Sequence, residues 1–249
     1  MRFLFKMDVT VLGSGSTVQF EGRGSASFLI ETDGKKILLD AGFYLLDRME
    51  KAGVKSDEID AVYISHKHPD HFMGLIHLLF SLNHKSYDKK ESITVFGFEG
   101  LKEWYQSFKD ILGHWIEPGI KVIIREEPIG EFGNIEWEIF KTAHSPESTG
   151  IILRSENKKI LYTGDTEYFD GLLELTENCD LVIAECGSGN EERSKGHMST
   201  NDIEKIAKGS AIKKIVLTHI YPETDMTPDN WTESGTELTR SYDLYKISL

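Results

Sequence analysis

Four side chains able to bind a metal ion fall within six consecutive residues, in Ser65-His66-Lys67-His68-Pro69-Asp70-His71. This segment follows the predicted strand Ala61–Ser65 and precedes an apolar pattern typical of a helix. The alternate residues His66 and His68 can converge on one ion, while Asp70 and His71 turn toward another. Imidazole and carboxylate ligands suit zinc, and also manganese or iron(II). A histidine-rich surface loop is the alternative, which the buried-strand context disfavours.

Three further candidate ligands each follow a predicted apolar strand: His144, Asp165 in Thr163-Gly164-Asp165-Thr166, and His219 in Leu217-Thr218-His219. Taken singly, each is more often a hydrogen-bonded loop residue. Together they fit ligands along one edge of a sheet sandwich. Two cations held by such a set lower the pKa of a shared water, so that hydroxide is available near neutral pH. They also polarise a phosphoryl or carbonyl oxygen, and Asp70 can both ligate and take the nucleophile's proton.

Composition restricts the class of protein. The chain has 249 residues, 39% of them hydrophobic, which is typical of a soluble protein with a sizeable core. Two cysteines, Cys179 and Cys186, are too few for a disulfide framework or a thiolate metal site. No apolar run approaches the roughly 20 residues that span a bilayer, and residues 1–6 are too short for a signal peptide. We therefore expect a cytoplasmic protein without a membrane partner.

Charge restricts the partners. The formal net charge is −13, from 41 acidic and 28 basic residues. Affinity for long nucleic acids comes largely from Lys and Arg that neutralise phosphates, so this balance disfavours a long polyanion. A small phosphorylated substrate held by bound metal stays compatible with it.

Short Val- and Ile-rich segments alternate with helical patterns and turns. Strands are predicted at Asp8–Leu12, Ser27–Thr32, Lys36–Asp40, Ala61–Ser65, Ile93–Phe96, Lys121–Ile124, Glu136–Phe140, Gly150–Arg154, Lys159–Thr163, Leu181–Glu185, Lys214–Thr218 and Asp243–Ile247. Helices are predicted at about 44–53, 71–82, 100–111, 168–177 and 200–208, the last capped by Ser199 or Thr200. Asp33-Gly34 predicts a two-residue hairpin turn. The pattern predicts one α/β (α+β) domain over 1–249, with two sheets flanked by helices.

The ordered set His-x-His-x-Asp-His, a later His, Gly-Asp and Thr-His resembles the metallo-β-lactamase fold superfamily. The resemblance covers nearly the whole chain, from Leu39-Asp40-Ala41-Gly42 to the final predicted strand. It implies a four-layer αββα sandwich of two mixed β-sheets. It also implies two metal positions bridged by Asp165, with the remaining ligands His66, His68 and His144 on one and Asp70, His71 and His219 on the other. Asp40 would support the site without ligating metal; a turn-forming Asp before Gly42 is the alternative.

Further motifs resemble RNase Z and its small-phosphodiesterase relatives. These are Gly74-Leu75 after the histidine motif, Glu185 at the end of a strand, Gly196-His197-Met198-Ser199-Thr200, and the opening Gly13-Ser14-Gly15-Ser16 with Arg23 and Ser25. In that group the His protonates or stabilises the leaving oxygen and the Glu orients it. The resemblance assigns these roles to His197 and Glu185. A polar residue just before a helix cap is the alternative reading of His197.

One departure concerns the substrate. Bacterial RNase Z enzymes carry a long tRNA-gripping arm between the positions that match His144 and Asp165, whereas only 20 residues lie between them here. A smaller phosphodiester, such as a cyclic nucleotide or short oligonucleotide, therefore suits the chain better than tRNA. RNase Z relatives are often dimers, so a homodimer is one option for the assembly.

Three functions stay open at this point. The first is a phosphodiesterase with two divalent metal ions. The second is an ester, lactone or thioester hydrolase on the same cage, which needs the metals but not the pair Glu185 and His197. The third is a non-catalytic binding module whose metal cage is coordinatively closed.

Overall fold

The first of two β-sheets combines an antiparallel half with a parallel half. The computed structural model describes residues 6–84, 90–117, 119–191, 193–222, 224 and 230–249. This sheet has the strand order β15-β1-β2-β3-β4-β5-β6, with parallel pairing from β3 to β6. Its strands are β1 Asp8–Gly13, β2 Ser27–Thr32, β3 Lys35–Leu39, β4 Ala61–Ile64, β5 Ser92–Gly97, β6 Lys121–Arg125 and β15 Lys246–Ser248.

The second sheet is also mixed and has the order β13-β14-β12-β11-β10-β9-β8-β7. Its strands are β7 Ile129–Phe132, β8 Ile135–Lys141, β9 Thr149–Ser155, β10 Lys158–Tyr162, β11 Leu181–Glu185, β12 Lys214–Thr218, β13 Asn230–Glu233 and β14 Thr236–Arg240. Strands β10, β11, β12 and β14 run parallel to their neighbours in this group. The predicted two mixed sheets are therefore confirmed.

Three apolar clusters divide the molecule into four layers. The central cluster joins the inner faces of both sheets, for example Phe28 and Tyr63 with Trp137 and Tyr162. The outer face of the first sheet packs against three helices, α1 Leu45–Ala52, α2 Pro69–Ser81 and α3 Leu101–Leu112. The outer face of the second sheet packs against α4 Leu172–Thr176 and α5 Thr200–Gly209. This is the expected αββα sandwich, because each sheet buries one face on the other and one on helices.

Parallel pairing brings the candidate residues to one edge. Strands β10, β11 and β12 are parallel, so their carboxyl ends lie at the same edge of the sheet. This edge carries Asp165 after β10, Glu185 as the last residue of β11, and His219 after β12. Strands β3 and β4 are parallel in the first sheet, so Asp40 and the histidine motif emerge together as well. Crevices at the carboxyl ends of parallel strands are where α/β proteins bind ligands.

The structure departs from several of the predicted elements. The helix predicted at 168–177 is only Leu172–Thr176, because Gly171 with φ 96° delays its start. The strand predicted at Asp243–Ile247 begins at Lys246, and the residues before it form a turn. Strands β7, β13 and β14 were not predicted, since they are short or strongly polar. Among the described residues, no helix combines the length and apolar character needed to cross a membrane.

Candidate metal centre

All seven predicted ligands lie together at the shared edge of the two sheets. His66 and His68 follow β4, and Asp70 and His71 lie in the first turn of α2, which begins at Pro69. Loops after β8, β10 and β12 supply the other three. The predicted ligands form two groups of side chains with donor atoms within 4.8 Å of one another: His66, His68, His144 and Asp165, and Asp70, His71 and His219. A third such group joins Asp165 and His219 to His197.

The Oδ2 atom of Asp165 lies between these two groups. It is 3.3 Å from Nε2 of His71 and 3.2 Å from Nε2 of His219. It is 3.8 Å from Nε2 of both His66 and His144. One carboxylate oxygen therefore lies within 3.8 Å of two histidines from each group.

The unpartnered polar atoms in this cluster test whether a metal fits. Among the described residues, the buried atoms without a hydrogen bond include Nε2 of His66, Nε2 of His71, Oδ1 of Asp165 and both ring nitrogens of His219. Buried polar groups are normally paired, because desolvating an unpaired one is costly. Three histidine Nε2 atoms and one carboxylate oxygen, all buried in the cluster without a hydrogen bond to another described residue, fit cations as their missing partners.

Protonation is consistent with ligation. Burial lowers the pKa of His66 and of His144, so both rings favour the neutral form that offers a lone pair to a cation. Burial opposes the charge of Asp165, but the histidines around it, His219 first, hold its pKa well below the usual range. The pKa of His71 is raised, since the carboxylates of Asp165 and Asp40 outweigh burial. A cation in place of that proton would satisfy the same carboxylates.

Asp40 fixes the histidine motif from behind and is wholly buried. Its Oδ1 accepts a hydrogen bond from the Ser65 amide at 2.7 Å. Its Oδ2 accepts from the Ser65 hydroxyl at 2.7 Å, the Tyr162 hydroxyl at 2.7 Å and Nδ1 of His71 at 2.6 Å. Because Nδ1 of His71 is used here, its Nε2 is directed into the cluster. The predicted supporting position of Asp40 agrees with this geometry.

His144 is oriented by the loop that carries the predicted motif at 196–200. Its Nδ1 lies 2.9 Å from the carbonyl oxygen of Gly196, so its Nε2 faces Asp165. The Gly196 amide donates in turn to Glu167 at 2.7 Å. A Cβ on Gly196 would lie 2.5 Å from Nδ1 of His144, so this close approach requires glycine.

His197 and Glu185 form a pair beside the cluster. Nδ1 of His197 lies 3.0 Å from Oε1 of Glu185. Three backbone amides, of Thr166, Gly187 and Met198, also donate to the Glu185 carboxylate, which is fully buried. The His197 ring is stacked on the ring of His219, with centroids 5.1 Å apart. Burial lowers the pKa of His197, but the hydrogen bond and charge of Glu185 outweigh it and raise the pKa to about 9.

Comparison with known proteins gives the family. A family model described as Anti-Pycsar protein Apyc1 matches residues 7–244. The chain belongs to the Anti-Pycsar protein Apyc1 family. The ribonuclease Z of Pyrococcus furiosus is 23% identical over 270 aligned positions, which cover 87% of each chain.

Solved structures similar to this Apyc1-family chain confirm its fold. The metallo-β-lactamase fold protein YhfI from Bacillus subtilis matches 97% of this chain and 99% of its own, with TM-score 0.83 and 23% identity. The short form of human tRNase Z matches 96% and 98%, with TM-score 0.77 and 22% identity. The chain thus has the metallo-β-lactamase fold and falls in the RNase Z-like branch of that superfamily, as the motifs predicted. Together with the ligand cluster, these relatives support a metal-binding hydrolase.

Sequence reasoning missed several contributors to the site. Tyr162 reads as an ordinary core residue of β10, and no sequence signal marks its hydroxyl as a donor to Asp40. Glu167, two residues after Asp165, was detectable as a carboxylate close to a ligand. Tyr221, two residues after His219, places its ring 5.3 Å from the His219 ring and 6.0 Å from the His197 ring.

Two further residues near His144, Thr149 and Ser145, contribute to the loops around the cluster. Thr149 is buried and donates to the Ser65 carbonyl at 2.9 Å, so it joins β9 to the end of β4. The Ser145 hydroxyl is 2.6 Å from that of Ser148, which forms a turn, and Ser145 also lines the cleft in front of the cluster.

Proposed function

We propose that this protein is a metal-dependent phosphodiesterase that hydrolyses a small phosphodiester, such as a cyclic nucleotide or a short oligonucleotide. The observation that carries this proposal is the pair His197 and Glu185, 3.0 Å apart, immediately beside the seven-residue cluster. A phosphodiester needs a proton at its leaving oxygen in addition to charge neutralisation at phosphorus. Carbonyl ester hydrolysis on the same cluster does not require such a pair.

The proposed ligands are the seven predicted residues. One position takes His66, His68 and His144, the other takes Asp70, His71 and His219, and Asp165 is shared. Two divalent cations there, zinc by ligand type, would lower the pKa of a water and take up charge on a phosphoryl oxygen. Burial raises the pKa of Asp70, but His219 and His71 outweigh it and lower that pKa, so the carboxylate stays ionised. In the proposal it also takes the proton of that water.

His197 supplies the opposite proton transfer. Its Nδ1 is engaged by Glu185, so its Nε2 is free to donate to the leaving oxygen. Its raised pKa keeps it protonated near neutral pH. The three backbone amides on Glu185 fix the carboxylate, and the carboxylate fixes the ring.

The shape of the cleft supports a small substrate. The 20 residues between His144 and Asp165 form the β9–β10 hairpin, without a long extension. The cleft in front of His68 and His144 has a volume of about 790 Å³, within the range of roughly 300–1,000 Å³ for small-ligand sites. Lys141 and Lys195 line it, and their charges would attract a phosphate on an otherwise acidic protein.

The test compares substrate classes on zinc- or manganese-loaded protein. Metal-dependent hydrolysis of a cyclic mononucleotide and of bis(p-nitrophenyl) phosphate is expected, with little turnover of lactones and thioesters. His197→Ala should lower turnover of the cyclic nucleotide about 10²–10⁴-fold while metal content stays at the wild-type level. His77→Ala, an exposed histidine on α2, is the matched control and should leave turnover unchanged.

Two results would reassign the function. Efficient lactone or thioester hydrolysis that survives His197→Ala would favour the carbonyl hydrolase. Loss of metal in that variant would place His197 among the ligands, since it also lies within reach of Asp165 and His219.

A further inference from the structure

His219 differs from the other buried histidines of the cluster in how its ring is held. Nδ1 of His66 lies 2.9 Å from the Ser65 hydroxyl, and the Nδ1 atoms of His71 and His144 bond to Asp40 and to a backbone carbonyl. Neither ring nitrogen of His219 has a hydrogen bond to any residue that the structure describes. Ligand histidines usually have their second nitrogen held by a polar partner. The direction of the His219 ring must therefore be set by packing and by its backbone.

The backbone of His219 is itself unusual. Its φ is 57°, in the left-handed region that residues with a Cβ seldom adopt. Such a conformation persists only where the surroundings impose it. The carbonyl of Ser14 accepts a hydrogen bond from the Ile220 amide at 3.3 Å and from the Thr218 hydroxyl at 3.5 Å. Both neighbours of His219 are thus bound to one atom of the β1–β2 loop.

Asp243 holds Ser14 in place from the other side. Its Oδ1 accepts hydrogen bonds from the Ser14 amide at 2.9 Å and the Ser14 hydroxyl at 2.8 Å. Its Oδ2 accepts from the Gly24 amide and from Nε of Arg48, each at 2.7 Å. The carboxylate therefore has four donors, and its side chain is only 11% exposed.

Arg23 connects this arrangement to the strand that precedes His219. Its Nη1 donates to the Ser14 hydroxyl at 2.8 Å and to the Ser241 carbonyl at 2.5 Å. Ser241 donates from its amide and its hydroxyl to the carbonyl of Leu217, at 3.1 and 2.6 Å. The end of β12 is thus held on both sides by a network that contains no cluster residue.

We infer that Asp243, acting through Ser14, is a positioning residue that sets the metal affinity of the position formed by Asp70, His71 and His219. The inference rests on the ligand assignment of the proposed function. The other position depends on different contacts, at Ser65 and Gly196, so weakening the Asp243 network affects one metal position and spares the other. This selectivity separates positioning from a general effect on folding.

The experiment measures zinc bound per full-length chain at controlled free zinc concentrations. Asp243→Asn replaces an acceptor of four hydrogen bonds by a group with one acceptor atom. The variant should bind its first zinc with wild-type affinity and its second at least tenfold more weakly. Ser14→Ala keeps the backbone amide and should lose less zinc affinity at the same position. This variant tests the inference if Asp243→Asn folds poorly.

Asp180→Asn is the matched control. Asp180 is a buried carboxylate at the opposite end of β11, where it accepts from the Lys159 amide at 2.9 Å and from Lys213 at 2.5 Å. Its substitution should lower thermal stability while both zinc affinities stay at the wild-type values. Unchanged zinc binding in Asp243→Asn, or equal weakening of zinc binding at both positions, would overturn this inference and leave the proposed function standing. Wild-type protein without stoichiometric zinc would instead overturn the proposed function.

Discussion

Nδ1 of His71 lies 2.6 Å from Oδ2 of Asp40, and both side chains are fully buried. The same carboxylate binds Ser65 in the histidine motif and Tyr162 at the end of β10. Asp40 therefore connects the first sheet, the second sheet and α2 at the point where the proposed ligands meet. Its own φ of 56° aims the carboxylate at this junction.

Asp40→Asn should weaken metal binding more than it weakens the fold. The amide keeps one acceptor but presents an N–H to groups that are themselves donors. Loss of such support typically costs about 10–100-fold in metal affinity or activity. Zinc titration measures the change in metal affinity, and turnover of a cyclic nucleotide measures the change in activity. Asp110→Asn, on the exposed side of α3, is the control and should match wild type.

Gly196→Ala should abolish most activity without unfolding the protein. The new Cβ would meet Nδ1 of His144 at 2.5 Å and displace both that ring and the adjacent His197. Gly100→Ala is the matched control, because Gly100 has φ 91° and open space around its Cβ position. Both variants lose about 1–2 kcal/mol from the left-handed backbone. If chemical denaturation finds them equally stable and turnover finds them equally active, the close approach at Gly196 is irrelevant.

The clustering of the seven candidate residues could be predicted from the sequence because His66, His68, His144, Asp165 and His219 follow strands, and Asp70 and His71 begin the next helix. The predicted strands and the order of the motifs along the chain then place His66, His144 and His219 at one edge of the two sheets. The Asp33-Gly34 hairpin was predictable for a similar reason, since both residues adopt the positive φ that a two-residue turn needs.

The supporting contacts could not be predicted, because they join residues far apart in sequence. Asp243 was assigned to a strand from its local pattern, yet its carboxylate binds Ser14, 229 positions earlier. The Tyr162 hydroxyl has the same problem: its strand is evident, but its partner Asp40 is not. Local patterns carry periodicity and turn chemistry, whereas these contacts depend on how the two sheets pack.

The Glu185 carboxylate should set the alkaline limit of activity. A pKa raised to about 9 means that His197 keeps its proton below that pH and loses it above. Hydrolysis that needs this proton therefore declines as pH rises through the pKa. Glu185→Gln removes the stabilising charge, so the alkaline limb of kcat/KM for a cyclic nucleotide should move to lower pH at equal metal loading.

The leaving group provides the internal control for that profile. The p-nitrophenolate of bis(p-nitrophenyl) phosphate departs without a proton, so its alkaline limb should move much less in Glu185→Gln. If the alkaline limb moved by the same amount for both substrates, the titrating group would act on the nucleophile and not on the leaving oxygen.

Removal of metal should destabilise the fold, because the Nε2 atoms of His66, His71 and His219 and Oδ1 of Asp165 then have no partner among the described residues. A ligand at 100 times its Kd stabilises the native state by about 2.7 kcal/mol, and 1 kcal/mol changes Tm by about 2–4 °C at this chain length. Calorimetry should therefore find Tm lower by about 5–10 °C after chelation, restored by added zinc. Asp165→Asn should reduce the difference in Tm between zinc-loaded and chelated protein, since it removes the oxygen shared by both proposed metal positions. A Tm that chelation leaves unchanged would contradict the assignment of these side chains to metal.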